Sequence, residues 1–244
     1  MSAPTAQVVR WHPVADAAAL AQAAQRWILD AATRAIAQRG RFVIVLAGGN
    51  TPCAAYALLR DAGLDGTRAD WSRWDIWFGD ERCAPPDDPL RNSAMARTAW
   101  LDHVPIPPAN IHAIPSELGE QAAANAYADA LRGVGDFDLV LLGLGEDGHT
   151  ASLFPGHDNG TLPDSPDAIA VFDAPKPPPQ RVSLSAARLG RAREVLFLVE
   201  GESKRDALAR WRAGEDIPAS RIAPAAGVDV LVQVSSESRE RKLR

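Results

Sequence analysis

The feature that most constrains this chain is the stretch Asp138-Leu139-Val140-Leu141-Leu142-Gly143-Leu144-Gly145-Glu146-Asp147-Gly148-His149. Its apolar run, bounded by Asp and Gly, reads as a strand covered on both faces, the pattern of a parallel sheet. The run empties into Gly143, Gly145 and Gly148, where backbone can turn through positive φ and approach a ligand closely. Asp147 and His149 follow directly. In open α/β sheets, ligands bind beyond the carboxyl ends of the strands. A histidine placed there is a candidate general acid/base, because its pKa lies near working pH. Taken alone, the segment also reads as a solvated turn with no chemistry.

Four further runs repeat the pattern. Phe42–Ala47, Trp74–Gly79, Glu194–Val199 and Val228–Val234 are apolar and short, and helical patterns separate them. The chain opens with an irregular lead and a short strand at Val8–Trp11. Asp16 is a good N-cap for a helix reaching about Gln38, and Gly40 ends it. Further helices are expected over Asn92–Leu101, Glu117–Leu131 and Arg205–Trp211. Short strands are expected at Ile111–Ile114 and Ala168–Phe172, with an edge strand at Val182–Leu184 that leads into a helix through Ala192. Strands alternating with helices argue an α/β fold with a mainly parallel sheet and right-handed crossovers. At 244 residues the chain suits one domain, with a charged, frayed tail from about residue 235.

The second strand-end segment is Gly48-Gly49-Asn50-Thr51-Pro52. Strand, Gly-Gly, a capping Asn or Thr, and Pro in the first helical turn aim unpaired N–H groups and a helix dipole at one point. That is a site for a phosphate or carboxylate. It lacks the lysine of a P-loop and the three glycines of a dinucleotide fingerprint, so it reads as a seat for one terminal phosphate. The alternative is a tight turn with no ligand. Asp80-Glu81-Arg82 follow the strand at 74–79, and Gly201-Glu202-Ser203-Lys204 follow the one at 194–199. If these strands are parallel neighbours, the segments 48–51, 80–82, 147–149 and 201–204 converge on one cleft. The three prolines at 177–179 read as a stiff extended connector that sets where Lys176 and Arg181 point.

Composition narrows the classes. Net charge is −5 and the pI about 5.5, without the basic face of a nucleic-acid binder. The Ala-rich piece from Ala17 to Ala37 is broken by Gln22, Gln25, Arg26, Asp30 and Arg34, and is neither signal peptide nor membrane span. Cys53 and Cys83 have no metal-ligand spacing and read as buried small residues, and so few cysteines suit a cytoplasmic protein.

The motifs Gly48–Pro52, Asp80-Glu81-Arg82, Gly145–Gly156, Pro175–Arg181 and Lys204 occur in the order seen in 6-phosphogluconolactonases, and the chain resembles that family from about residue 10 to 235. The resemblance implies a Rossmann-like, mainly parallel sheet flanked by helices on both faces. It implies hydrolysis of 6-phospho-D-glucono-1,5-lactone to 6-phosphogluconate in the oxidative pentose phosphate pathway, with no metal and no organic cofactor. The expected partner is the small sugar phosphate lactone, with no nucleic acid and no membrane, in a monomer or small homo-oligomer. The implied acid/base is His149. Asp80 or Asp147 supports it, and Asp80 alternatively holds a sugar hydroxyl. Phosphate falls to the N–H groups around Gly48, Gly49, Asn50 and Thr51, with Arg82, Arg181 and Lys204 as counter-charges. Asn50 departs from the serine usual in that family.

Two rival readings share parts of this pattern. Aldose–ketose isomerases or deaminases of amino-sugar phosphates use the same phosphate turn, but carry a Glu five residues beyond the motif His, where this chain has Phe154. Sugar-phosphate sensor domains normally follow a DNA-binding helix-turn-helix, and only one long helix precedes the first buried strand here.

Overall fold

The computed structural model describes residues 7–64 and 69–233. The elements are β1 (Val9–Val14), α1 (Ala17–Arg39), β2 (Phe42–Leu46), α2 (Asn50–Leu64), β3 (Trp74–Phe78), β4 (Asp80–Arg82), α3 (Asn92–Ala99), β5 (Ile111–His112), α4 (Glu120–Ala130), β6 (Phe137–Gly143), β7 (Ala168–Val171), β8 (Arg181–Leu184), α5 (Ala186–Gly190), β9 (Ala192–Val199), α6 (Arg205–Arg212) and β10 (Val228–Gln233). The expected tail from 235 lies outside the described residues.

Seven strands form one sheet in the order β1-β10-β9-β6-β2-β3-β5. Every pairing in it is parallel, and helices flank it, so the expected α/β architecture is present. The continuous apolar runs have their physical counterpart here: all five residues of β2 are buried, as are six of seven in β6. Chain direction explains where a ligand fits. After β2 the chain moves outward to β3 and β5, and after β6 it moves the other way to β9 and β10. The crevice between β2 and β6 is therefore the switch point, where neighbouring strand-end loops diverge and leave room.

Local signals hold the elements. Asp16 accepts from the Ala19 amide at 2.8 Å, and Gly40, at φ +76°, closes α1 on the Ile36 carbonyl. At the opposite end of the sheet, the Asp138 carboxylate accepts from the Val43 amide at 2.8 Å and pairs with Arg39. It thereby serves an N–H that the β2–β6 ladder, starting at Ile44 and Leu139, leaves over.

Several expectations need correction. Val182–Leu184 is not an edge strand: β8, extended back to Arg181, is the middle of a separate antiparallel sheet of order β4-β8-β7. The charged triplet 80–82 is its edge strand β4. Its charges are compatible with a strand because period-2 alternation sends them to two different faces. The proline segment is not extended; it bends over residues 175–178 and Pro177–Pro178 is cis. The helix expected from Glu117 starts at Glu120, after a 3-10 turn and Gly119 at φ +83°. The helix after β8 stops at Gly190, and Ala192 already belongs to β9. Neither Asn50 nor Thr51 caps α2 from the preceding position, because the helix starts at Asn50 and Gly49, at φ +103°, stands before it. Cys53 and Cys83 are free and half-buried instead of fully buried.

Candidate active site

A cavity of about 430 Å³ opens over the β2–β6 crevice. The turn Gly48–Pro52 forms one wall, and Asp80, Arg82 and Arg181 form another. His149, Phe154, Glu200 and Lys204 complete it. The four strand-end segments therefore converge, although in the 147–149 segment it is His149 that lines the cavity and Asp147 that stands behind it.

The His149 loop is shaped by glycine. The Gly145 amide donates to the His149 carbonyl at 2.7 Å, and the Gly148 amide to the Gly145 carbonyl at 3.1 Å. A Cβ on Gly145 would lie 2.0 Å from Nδ1 of His149, so only glycine leaves room for the ring. Gly148 sits at φ +91°, where an added Cβ would also meet Ile217 at 2.9 Å. From outside, Arg210 Nη1 donates to the Asp147 carbonyl, and the Ala219 amide to the Gly148 carbonyl.

Within this loop Asp147 Oδ1 lies 2.5 Å from Nδ1 of His149 and also accepts the His149 amide at 3.1 Å. A carboxylate at Nδ1 places the ring proton there and leaves Nε2 as the free lone pair. Burial alone would raise the Asp147 pKa, but the amide and ring of His149 outweigh it and hold the carboxyl below its ordinary range. The ring also packs on Phe154, with centroids 4.8 Å apart. Asp80 does not touch His149. Its carboxylate accepts from Ser152 Oγ at 2.6 Å and Asn92 Nδ2 at 3.0 Å.

Strand alternation sorts the Asp-Glu-Arg triplet. Asp80 and Arg82 share the cavity face, and Glu81 points away and is fully buried. Glu81 accepts from the amides of Arg82, Asn92 and Ser93. It caps α3, as a carboxylate at a helix N-terminus should. On the cavity side, Arg82 and Arg181 stand directly opposite each other in the β4–β8 ladder. Like charges so placed are destabilising unless an anion joins them. Arg181 is buried, and burial pushes its pKa down. Its Nε and Nη2 donate to the carbonyls of Pro178 and Lys176, tying down the proline bend. Arg82 donates to the Leu90 carbonyl, while its Nε is buried without a partner.

The first-turn amides of α2 have no intrahelical acceptor, and they face the cavity with Lys204, which ends the 3-10 turn 202–204 after β9. Gly48 is required by crowding: a Cβ there would sit 1.9 Å from Oδ1 of Asn92. Asn92 thus packs the Gly48–Pro52 turn against Asp80. Asn92, Ser152 and Glu200 carry no sequence signal of their own, since each acts through a partner distant in the chain. Among the described residues no cluster of His, Cys, Asp or Glu is arranged to hold a metal ion, and no helix is long and apolar enough to cross a membrane.

Comparison with known proteins agrees with this geometry. The model of the family described as glucosamine-6-phosphate isomerases/6-phosphogluconolactonase matches residues 15–231. The chain is 35% identical over 240 residues to a 6-phosphogluconolactonase of Mycobacterium leprae, covering 93% of this chain and 96% of that protein. It is 41% identical over 228 residues to one of Streptomyces coelicolor, covering 87% and 85%. The solved structure of the 6-phosphogluconolactonase from Trypanosoma brucei superposes with a TM-score of 0.81 at 29% identity, covering 93% of this chain and 97% of that one. The chain belongs to the glucosamine-6-phosphate isomerase/6-phosphogluconolactonase family.

Proposed function

We propose that the chain hydrolyses 6-phospho-D-glucono-1,5-lactone to 6-phosphogluconate, the second step of the oxidative pentose phosphate pathway, by His149-assisted attack of water. The observation that carries this reading is one cavity lined by His149, whose Nδ1 is engaged by Asp147, and by the start of α2, Arg82, Arg181 and Lys204. In the 1,5-lactone the C6 phosphate and the C1 carbonyl are carried on the two carbons that flank the ring oxygen, so one cavity serves both.

In this mechanism Nε2 of His149 takes a proton from water as its oxygen bonds to the lactone carbonyl carbon. The bond from that carbon to the ring oxygen then breaks, and the imidazolium returns the proton to the ring oxygen. The new acid ionises and leaves as a carboxylate. A lactone is an activated ester, so no covalent nucleophile is needed. Asp147 holds the tautomer and steadies the imidazolium. Asp80, engaged with Ser152 and Asn92, is free of His149 and takes the role of sugar-hydroxyl acceptor. The amide of Gly145 is committed to the His149 carbonyl and does not serve the developing oxyanion. Phe154 stands five residues past His149 and carries no proton, which counts against the amino-sugar isomerase reading.

A coupled assay of lactone disappearance, corrected for spontaneous hydrolysis, tests the proposal. Enzyme-dependent loss of the lactone supports it. Turnover of glucosamine 6-phosphate instead, or tight sugar-phosphate binding with no turnover of either, contradicts it.

A further inference from the structure

Glu200 follows the last residue of β9 and lines the cavity between the phosphate turn and Lys204. Its Oε2 lies 3.0 Å from Oγ1 of Thr51. Among the described residues it has no basic partner, and Thr51 is the group it bonds. A half-buried carboxylate inside an anion site works against the site's purpose unless it does something else there.

Hydrogen-bond inventory defines that task. A threonine hydroxyl has one proton and two lone pairs. Thr51 Oγ1 donates to Glu200 Oε2, so the hydroxyl proton is spent on Glu200. What Thr51 and Glu200 then show the cavity is lone pairs and negative charge. A phosphate oxygen is also an acceptor, and meets repulsion there. A sugar hydroxyl is a donor, and is welcome. The amides at the start of α2 present the reverse polarity, with N–H groups toward the anion.

We infer that Glu200 and Thr51 form a specificity pair that recognises a hydroxyl of the sugar and turns away free inorganic phosphate, leaving the phosphate group to the backbone amides and the basic residues. The inference deepens the reading of the cavity as a sugar phosphate site and rests on it.

The test uses the full chain and binding constants from calorimetry for two probes, inorganic phosphate and 6-phosphogluconate. Thr51→Val is expected to weaken 6-phosphogluconate about tenfold, the loss of one hydrogen bond near charge, and to leave inorganic phosphate within about twofold. Thr51→Ser, which keeps the hydroxyl, is expected to retain the wild-type ratio of the two constants. Glu200→Ala is expected to bind inorganic phosphate several-fold more tightly while the preference for 6-phosphogluconate over it falls about tenfold. Retained phosphate binding reports that the corner is still folded in each variant. Parallel weakening of both probes in Thr51→Val would place the hydroxyl on the phosphate and overturn the inference, as would an unchanged ratio in both Thr51→Val and Glu200→Ala. Lactone turnover by the wild type is read separately, and its absence would count against the activity without touching these binding ratios.

Discussion

At the scale of single residues, the contact between Asp147 and His149 sets the chemistry proposed for the cavity. Positioned acid/base catalysis is worth about 10²–10⁴-fold, so His149→Gln is expected to lower kcat at least about a hundredfold with the circular dichroism spectrum unchanged and Tm lowered by no more than a few degrees. The pair has its own pH signature. Asp147 has a folded pKa below its ordinary value of 3.8. Its contribution to stability is therefore fully present above that value and disappears as pH falls through the lower one. Denaturant titrations should show a wild-type advantage over Asp147→Asn that closes as pH falls below about 4. A gap that widened as pH fell below about 4 would contradict the assignment. His149 and Asp147 were legible in sequence because both stand beside glycines at a strand end. The choice between Asp80 and Asp147 was not, since it depends on which carboxylate a folded loop brings to Nδ1. Glu200 was out of reach, its partner being 149 residues away in the chain.

At the scale of elements, two local devices carry the site. The first is the Gly145–His149 turn. Gly145→Ala puts a methyl where the His149 ring lies, and is expected to cost activity far more than stability. A kcat reduced at least about tenfold with a Tm shift of only a few degrees would show it. The second is Glu81, which serves three amides at the meeting of β4 and α3. Glu81→Ala removes a fully buried carboxylate and leaves Arg91 without one of its partners. Urea unfolding should show a loss of about 3–5 kcal/mol. The parallel strands were readable because strands covered on both faces show unbroken apolar runs. The small antiparallel sheet was not, because Asp-Glu-Arg reads as a solvated loop until Glu81 is seen to cap α3 and Arg82 to face Arg181. The bend at the prolines escaped for a related reason: Arg181 holds it through carbonyls, which composition does not reveal.

At the scale of the whole molecule, parallel topology does the assembling. One switch point between β2 and β6 brings together segments that are far apart in sequence, and their polar ends share one cavity. The small sheet adds a wall, setting Arg82 and Arg181 side by side. Two facing arginines without an anion are a liability, which an anionic ligand relieves. Lys204 lines the same cavity as the Gly48–Pro52 turn. If its contact is equally strong in ground and transition states, Lys204→Ala raises KM and leaves kcat nearly unchanged, a split that steady-state kinetics reads directly.

The most direct measurement of the central claim is a crystal structure with 6-phosphogluconate bound. The phosphate is expected on the amides of residues 49–51 with Arg82, Arg181 or Lys204 at its oxygens, and the C1 carboxylate within about 3.5 Å of Nε2 of His149. A product bound with its phosphate at His149, or outside the β2–β6 cavity altogether, would contradict it.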